Sequence, residues 1–193
     1  MGNDSSNPAL KLKEYFSSHK IKNLKQLHVV TDLSSKNLKF VRYLGNSLEV
    51  LKIDASTHEL TETDVSTLHK VVKRLPKMQT FSLSIRYATL ECLQLYLDGF
   101  PPREQLKEFS LTVVYDAFRF NIAASIEKFL NRISIRELIL DLNLTKSVLD
   151  VLADVCQRKE GPIQVLKLCF RDIQKGTPRI RQFLARFEVL QRP

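Results

Sequence analysis

One hydrophobic motif of six residues, with apolar side chains at its first, fourth and sixth positions, occurs six times in this chain of 193 residues. The copies are residues 24–29, 48–53, 78–83, 106–111, 135–140 and 163–168, so successive copies begin 24 to 30 residues apart. A single match means little in a chain that is 44% hydrophobic. Six copies at a nearly constant interval predict that one structural unit is repeated and stacked on its neighbours.

Each motif alternates apolar and polar residues as a strand does, and the stretch that follows it has the 3.6-residue period of a helix. The second unit is the clearest case, because residues 61–64 form a capping-box pattern before an apolar stripe that begins at Val65. Thr89 and Thr145 precede the helical stretches of later units. The predicted unit is therefore strand, loop, helix and turn, repeated about six times from residue 24 to residue 190.

Strands joined by helices in this way pair in parallel, and the helices then cover a face of the sheet. Because a helix is wider than the strand spacing of about 4.8 Å, stacking such units bends the sheet toward its strand side. We predict an α/β fold, a solenoid with a curved parallel sheet of about six strands on the concave side and helices on the convex side. Residues 8–193 form a single array with an N-terminal helical cap at 8–23, and residues 1–7 are expected to be disordered.

The motif and its spacing resemble the leucine-rich repeat of the ribonuclease-inhibitor-like class, over roughly residues 24–190. That family places Asn or Cys three residues after the third apolar position of each motif. The residues at those six positions here are Asp32, Ser56, Arg86, Val114, Asn143 and Arg171. Such degenerate repeats resemble those of F-box-type ubiquitin-ligase receptors. The resemblance implies a module that binds protein partners.

Composition and cysteine content favour an intracellular protein. No apolar run approaches the roughly 20 residues of a membrane-spanning helix, and the N-terminus lacks the basic and apolar stretches of a signal peptide. Cys92, Cys156 and Cys169 lie in different units without metal-ligand spacing, which favours reduced thiols. We expect a cytoplasmic or nuclear protein that is a monomer.

The formal net charge of +9 lies mainly at the two ends of the chain. Residues 1–28 carry five Lys and Arg against two acids, and residues 171–193 carry six against two, which leaves +2 for residues 29–170. The nearly neutral body argues against nucleic acid as the partner, although a nucleic-acid- or membrane-associated protein that uses its basic ends remains an alternative. Gly2 begins a myristoylation pattern, and a membrane partner is expected only if that glycine is acylated.

No set of residues has the spacing that catalysis or metal binding requires. His19, His28, His58 and His69 fall in different contexts, and the chain contains neither a Gly-rich phosphate loop nor a G-x-S-x-G sequence. We therefore expect no enzymatic activity, no cofactor and no metal site.

The sheet face that points away from the helices is the predicted binding surface, because successive strand residues point to opposite faces. Its candidate partner-binding residues are His28, Lys52, Asp54, Ser82, Ser84, Ser110, Glu137, Ile139, Asp141 and Lys167. A rim near the strand ends is a second candidate surface, because Tyr and Arg are common interface anchors. The rim residues are Arg86, Tyr87, Tyr115 and Arg171. The alternative is a merely solvated face, with recognition on a loop or edge.

The leading hypothesis is a non-catalytic protein-protein recognition module or scaffold, which the resemblance places among the substrate-receptor arrays of ubiquitin ligases. The helical segment with which F-box receptors bind the ligase core is longer than residues 1–23, so in that case the chain is expected to be a fragment. A sensor array from a larger nucleotide-dependent receptor is a further alternative.

Overall fold

The computed structural model describes residues 24–33, 38, 41, 47–115, 120–157 and 163–169. In this part of the chain six strands form one sheet, and every neighbouring pair is parallel. The strands are β1 (Gln26–Val30), β2 (Val50–Leu60), β3 (Thr80–Ala88), β4 (Arg103–Val113), β5 (Ile133–Asp141) and β6 (Val165–Cys169). They lie side by side in chain order. The predicted α/β class with a parallel sheet of about six strands is therefore confirmed.

Each hydrophobic motif overlaps one strand, and its fourth and sixth residues point into the core. Leu51 and Ile53 of β2, like Phe81 and Leu83 of β3, are at most 2% exposed. Strands β2 to β5 are longer than the motif, with 9 to 11 residues each. The register of β2 against β3 shifts after Ala55, so the end of β2 pairs differently from its beginning.

Four helices follow strands β2 to β5 in the described residues. They are α1 (Glu62–Lys73), α2 (Leu90–Gly99), α3 (Ala123–Leu130) and α4 (Lys146–Gln157). The predicted capping box begins α1: the hydroxyl of Thr61 accepts from the Asp64 N–H at 3.3 Å, and the Asp64 carboxylate accepts from the Thr61 N–H at 2.9 Å. Thr89 caps α2 by accepting from the N–H of Cys92. Each helix contacts the next one along the chain.

One hydrophobic core lies between the helices and the sheet. At its centre is an aromatic cluster with ring centroids 4.7 to 6.4 Å apart, formed by Phe81, Tyr96, Phe100, Phe109 and Phe129. Such ring pairs stabilise a fold by about 0.5–1.5 kcal/mol each beyond the burial of their area. The hydroxyl of Tyr96 is buried without a hydrogen-bond partner among the described residues. Its burial raises the pKa of Tyr96 well above the ordinary value.

The same backbone contact joins successive units where the strands begin. The carbonyl oxygens of Lys25, Glu49 and Gln79 each accept two N–H groups from the next unit, at N···O distances of 2.7 to 3.1 Å. A further contact of this kind joins the Gln164 N–H to the Arg136 carbonyl at 2.8 Å. Because donors and acceptors are backbone atoms, these contacts require no particular side chain.

Two arginines connect the start of a strand to the end of an earlier helix. Arg103 donates from Nη2 to the carbonyl of Val72 in α1. Arg132 donates from Nη2 to the carbonyl of Leu97 in α2, at 2.9 Å. The last carbonyls of a helix lack partners within it and attract cations, so each arginine stabilises a helix end. Burial lowers the pKa of Arg103.

Some predicted parts lie outside the described residues. They are the segment 1–7, the helical cap at 8–23, Gly2, the rim residue Arg171 and the helix predicted to end near residue 190.

Candidate functional site

The residues on one face of the sheet form three rows that cross all six strands, because neighbouring strands pair in constant register there. The first row is Gln26, Val50, Thr80, Glu108, Glu137 and Val165. The second row is His28, Lys52, Ser82, Ser110, Ile139 and Lys167. The third row is Val30, Asp54, Ser84, Thr112, Asp141 and Cys169. We call these three rows the open face, and all ten residues predicted for it lie in them.

The open face lies opposite the helices. The alternate strand residues and the apolar stripes of all four helices belong to one buried core, so the described helices cover only the other face of the sheet. Lys52 and Lys167 on the open face are exposed. Apolar side chains also reach solvent at its two ends, where Val30 is 76% exposed and Val165 is 39% exposed.

Hydroxyl side chains occupy the centre of the open face, on β3 and β4. They are Thr80, Ser82, Ser84, Ser110 and Thr112. Ser110 is only 8% exposed, although it belongs to the face without helices. Its row neighbours are Ser82 and the larger Ile139. The centre of the open face is therefore polar, and it lies lower than the larger side chains beside it.

Acidic side chains lie beside the hydroxyl centre. Glu108 of β4 and Glu137 of β5 are direct neighbours in the first row, and such like charges repel. Lys167 of β6 reduces this repulsion through an ion pair with Glu137. The hydrogen bond from Lys167 to Glu137 raises the pKa of that lysine, and the charges of Glu137 and Glu108 act in the same direction. The Glu108 carboxylate makes no ion pair and no hydrogen bond within the described part of the chain.

Asp54 lies in the third row and presents a fixed negative charge. Its Oδ1 accepts from the N–H of Ser56 at 3.0 Å. Hydrogen bonds from the Ser56 side chain and backbone lower the pKa of Asp54, and the charge of His28 lowers it further. The carboxylate therefore stays ionised across the physiological pH range.

The rim residues that the structure describes lie near the ends of β3 and β4. The guanidinium carbon of Arg86 is 5.4 Å from the ring centroid of Tyr115, a cation–π contact. Tyr115 is 63% exposed, and Tyr87 is partly exposed. The backbone also joins this pair, because the Tyr115 N–H donates to the Arg86 carbonyl at 2.7 Å.

Two properties of this surface lie beyond the sequence prediction. The low centre depends on which side chains become neighbours across strands, and the Arg86–Tyr115 contact depends on where the strands end. The sequence did contain a signal for the low centre, because the outward positions of the third and fourth motifs are nearly all Ser or Thr.

In the described residues, no group of three or more His, Cys, Asp or Glu side chains is placed to hold a metal ion. None of the helices in that part of the chain combines the length and apolar content needed to cross a membrane. No protein-family model matches the sequence, and no curated protein matches it either.

Proposed function

We propose that this chain is a non-catalytic recognition module that binds a protein partner on the open face or its rim. The observation that carries the proposal is the three rows of six residues, which are held in register on a face that no described helix covers. Because the backbone of these rows is already ordered in the sheet, binding there costs little backbone conformational entropy.

The chemistry of the open face favours a protein over other partners. Hydroxyl, charged and apolar side chains alternate over short distances, as they do in protein–protein interfaces. The carboxylates of Glu108, Glu137 and Asp141 lie on the same side of the face. Their charge would repel the phosphates of a nucleic acid or of an anionic membrane surface.

The fold that we propose for this module is a leucine-rich repeat solenoid, curved with its strands inside. The overlap of each motif with a strand, the strand order and the repeated backbone contacts between units support it. The resemblance to F-box-type receptors extends the proposal to a substrate-binding array of a ubiquitin ligase in the cytoplasm or nucleus.

Affinity purification with two matched variants tests the binding face. The first variant carries Lys52→Glu, Ser82→Arg and Glu137→Lys on the open face. The control carries Lys73→Glu, Ser66→Arg and Glu127→Lys on exposed helix positions, so both variants change the net charge equally. We expect the specific partner to bind the wild-type chain and the control, and to bind the face variant about tenfold more weakly or worse.

A partner that binds all three proteins equally would show that recognition does not use the open face. The ubiquitin-ligase role has a separate readout in cells. Removal of the gene product should lengthen the half-life of a partner that depends on the open face, whereas an unchanged half-life contradicts the ligase role and leaves the recognition role intact.

A further inference from the structure

We propose that the open face binds its partner as an α-helix, which lies in a trough along β3 and β4. This inference rests on the proposed recognition function and specifies the shape and charge of the ligand. It is carried by the low floor, by the spacing of the flanking strands and by the charges at the two ends of the trough.

The floor of the trough consists of short side chains. Ser82, Ser84, Ser110 and Thr112 form a block two strands wide, and Ser110 is almost fully buried within it. Hydroxyl groups both donate and accept hydrogen bonds, so they can contact the small polar residues of a ligand in several orientations. A floor of this kind favours close approach of a ligand backbone.

Longer side chains form the two walls. Lys52 and Asp54 stand on β2, and Glu137, Ile139 and Asp141 stand on β5. These strands are three spacings apart, which is about 14 Å between strand axes at about 4.8 Å per spacing. An α-helix is about 10–12 Å across with its side chains, so it fills this width when small residues face the floor. A single extended strand would leave much of the floor uncovered.

The length of the trough fits a short helix. It runs from Thr80 at the first row to Arg86 near the end of β3. Six steps of about 3.3 Å give about 20 Å. A helix rises 1.5 Å per residue, so about 13 residues span that length.

Opposite charges mark the two ends. Glu108 lies in the first row without an ion pair of its own among the described residues. At the other end Arg86 lies over the exposed ring of Tyr115, and a cation–π contact leaves the guanidinium charged. The complementary helix carries a basic residue over Glu108 and, about 13 residues along, an acidic residue beside Arg86.

Two display libraries of equal size test this inference, with the intact chain as the target for selection. One randomises about 14 residues on an exposed helix of a small helical bundle, and the other randomises a loop of the same length on the same scaffold. We expect the helix library to enrich binders with a stripe of small residues and with the predicted basic and acidic positions. Ser110→Tyr should weaken them about tenfold or more, and the matched control Ser66→Tyr on α1 should not.

A charge exchange provides a second readout that a folding defect cannot imitate. When the double variant Glu108→Arg, Arg86→Glu is used as the target, the helix library should yield binders with the acidic and basic positions exchanged. Binders that come only from the loop library, but are lost with the triple face variant, would overturn the helix inference and retain the recognition function. Binders from both libraries that bind the triple face variant as tightly as the wild-type chain would overturn both proposals.

Discussion

At the scale of single residues, Gly99 of α2 lies directly against His69 of α1. A Cβ atom on Gly99 would overlap with Cε1 of His69 and lie 2.8 Å from its Nδ1. The imidazole has little freedom to move, because its Nε2 donates to the Tyr96 carbonyl at 2.9 Å and its ring stacks on that of Tyr96. The absence of a side chain at position 99 is therefore a packing requirement.

Gly99→Ala is expected to lower the free energy of unfolding by about 1–3 kcal/mol, because the new methyl group must displace the ring of His69. In a His69→Ala background the same change should be neutral or stabilising by up to about 1 kcal/mol, since Ala favours a helix over Gly. Urea denaturation of the four proteins of this double-mutant cycle measures the coupling. Equal costs in both backgrounds would contradict the contact.

His69 should also make stability depend on pH. Its burial lowers the pKa of His69, the nearby charge of Arg132 lowers it further, and the hydrogen bond to the Tyr96 carbonyl opposes them. The unfolded chain, with the ordinary pKa of about 6.5, therefore binds a proton before the folded chain does. The free energy of unfolding should fall as the pH drops below about 6.5 and level off below the folded pKa.

His69→Gln keeps a donor for the Tyr96 carbonyl and removes this titration. Denaturation at several pH values between about 7.5 and 5 should show that the stability difference between wild type and His69→Gln changes with pH. A constant difference would mean that His69 has the same pKa in the folded and unfolded chains.

At the scale of elements, α1 depends on its first turn. The Asp64 carboxylate accepts from the Thr61 N–H and contacts Nε2 of His58 at 3.1 Å, so the capping box also holds the end of β2. Thr61→Ala should cost about 1 kcal/mol in the free energy of unfolding. Ser66→Ala, an exposed change in the middle of the same helix, should stay within about 0.5 kcal/mol. Thermal denaturation of both variants compares them, and equal effects would contradict a role for the cap.

The elements themselves were largely predictable. The positions of the six strands follow from their motifs, and Thr61 and Thr89 indicate where α1 and α2 begin, because both signals are local. The extension of β2 to Leu60 was not predictable. It depends on a register shift against β3 and on the contact between His58 and Asp64, and neither can be read from apolar spacing.

At the scale of the whole molecule, the proposed solenoid fold predicts that the chain unfolds in segments. Leu138 of β5 is fully buried and pairs with Phe109 and Leu166 in the neighbouring strands. Leu138→Ala should cost about 2–5 kcal/mol through the cavity that it leaves. In a repeat array that loss acts mainly on the neighbouring units, so hydrogen exchange should accelerate in β4, β5, β6 and α4 and change little in β2. Uniform acceleration in every strand would contradict a solenoid.

The sequence predicted which residues lie on the open face, but it did not predict how deeply their side chains are buried or which of them pair. Alternation within each motif identifies the outward residues, and the parallel order then aligns them into rows. The burial of Ser110, the pairing of Lys167 with Glu137 and the contact of Arg86 with Tyr115 each involve two strands. Such contacts depend on register and on side-chain size, which a pattern along one strand does not contain.

The carbonyl contacts of Lys25, Glu49 and Gln79 join neighbouring units without using the side chains of the open face. Backbone atoms join one unit to the next there, whereas the proposed recognition function uses the side chains of the open face. Under that proposed function, a substitution on the open face can change what is bound at little cost to folding, and in the proposed solenoid an added unit would lengthen each row by one position. The binding specificity of such a chain can therefore change through single substitutions that cost little stability.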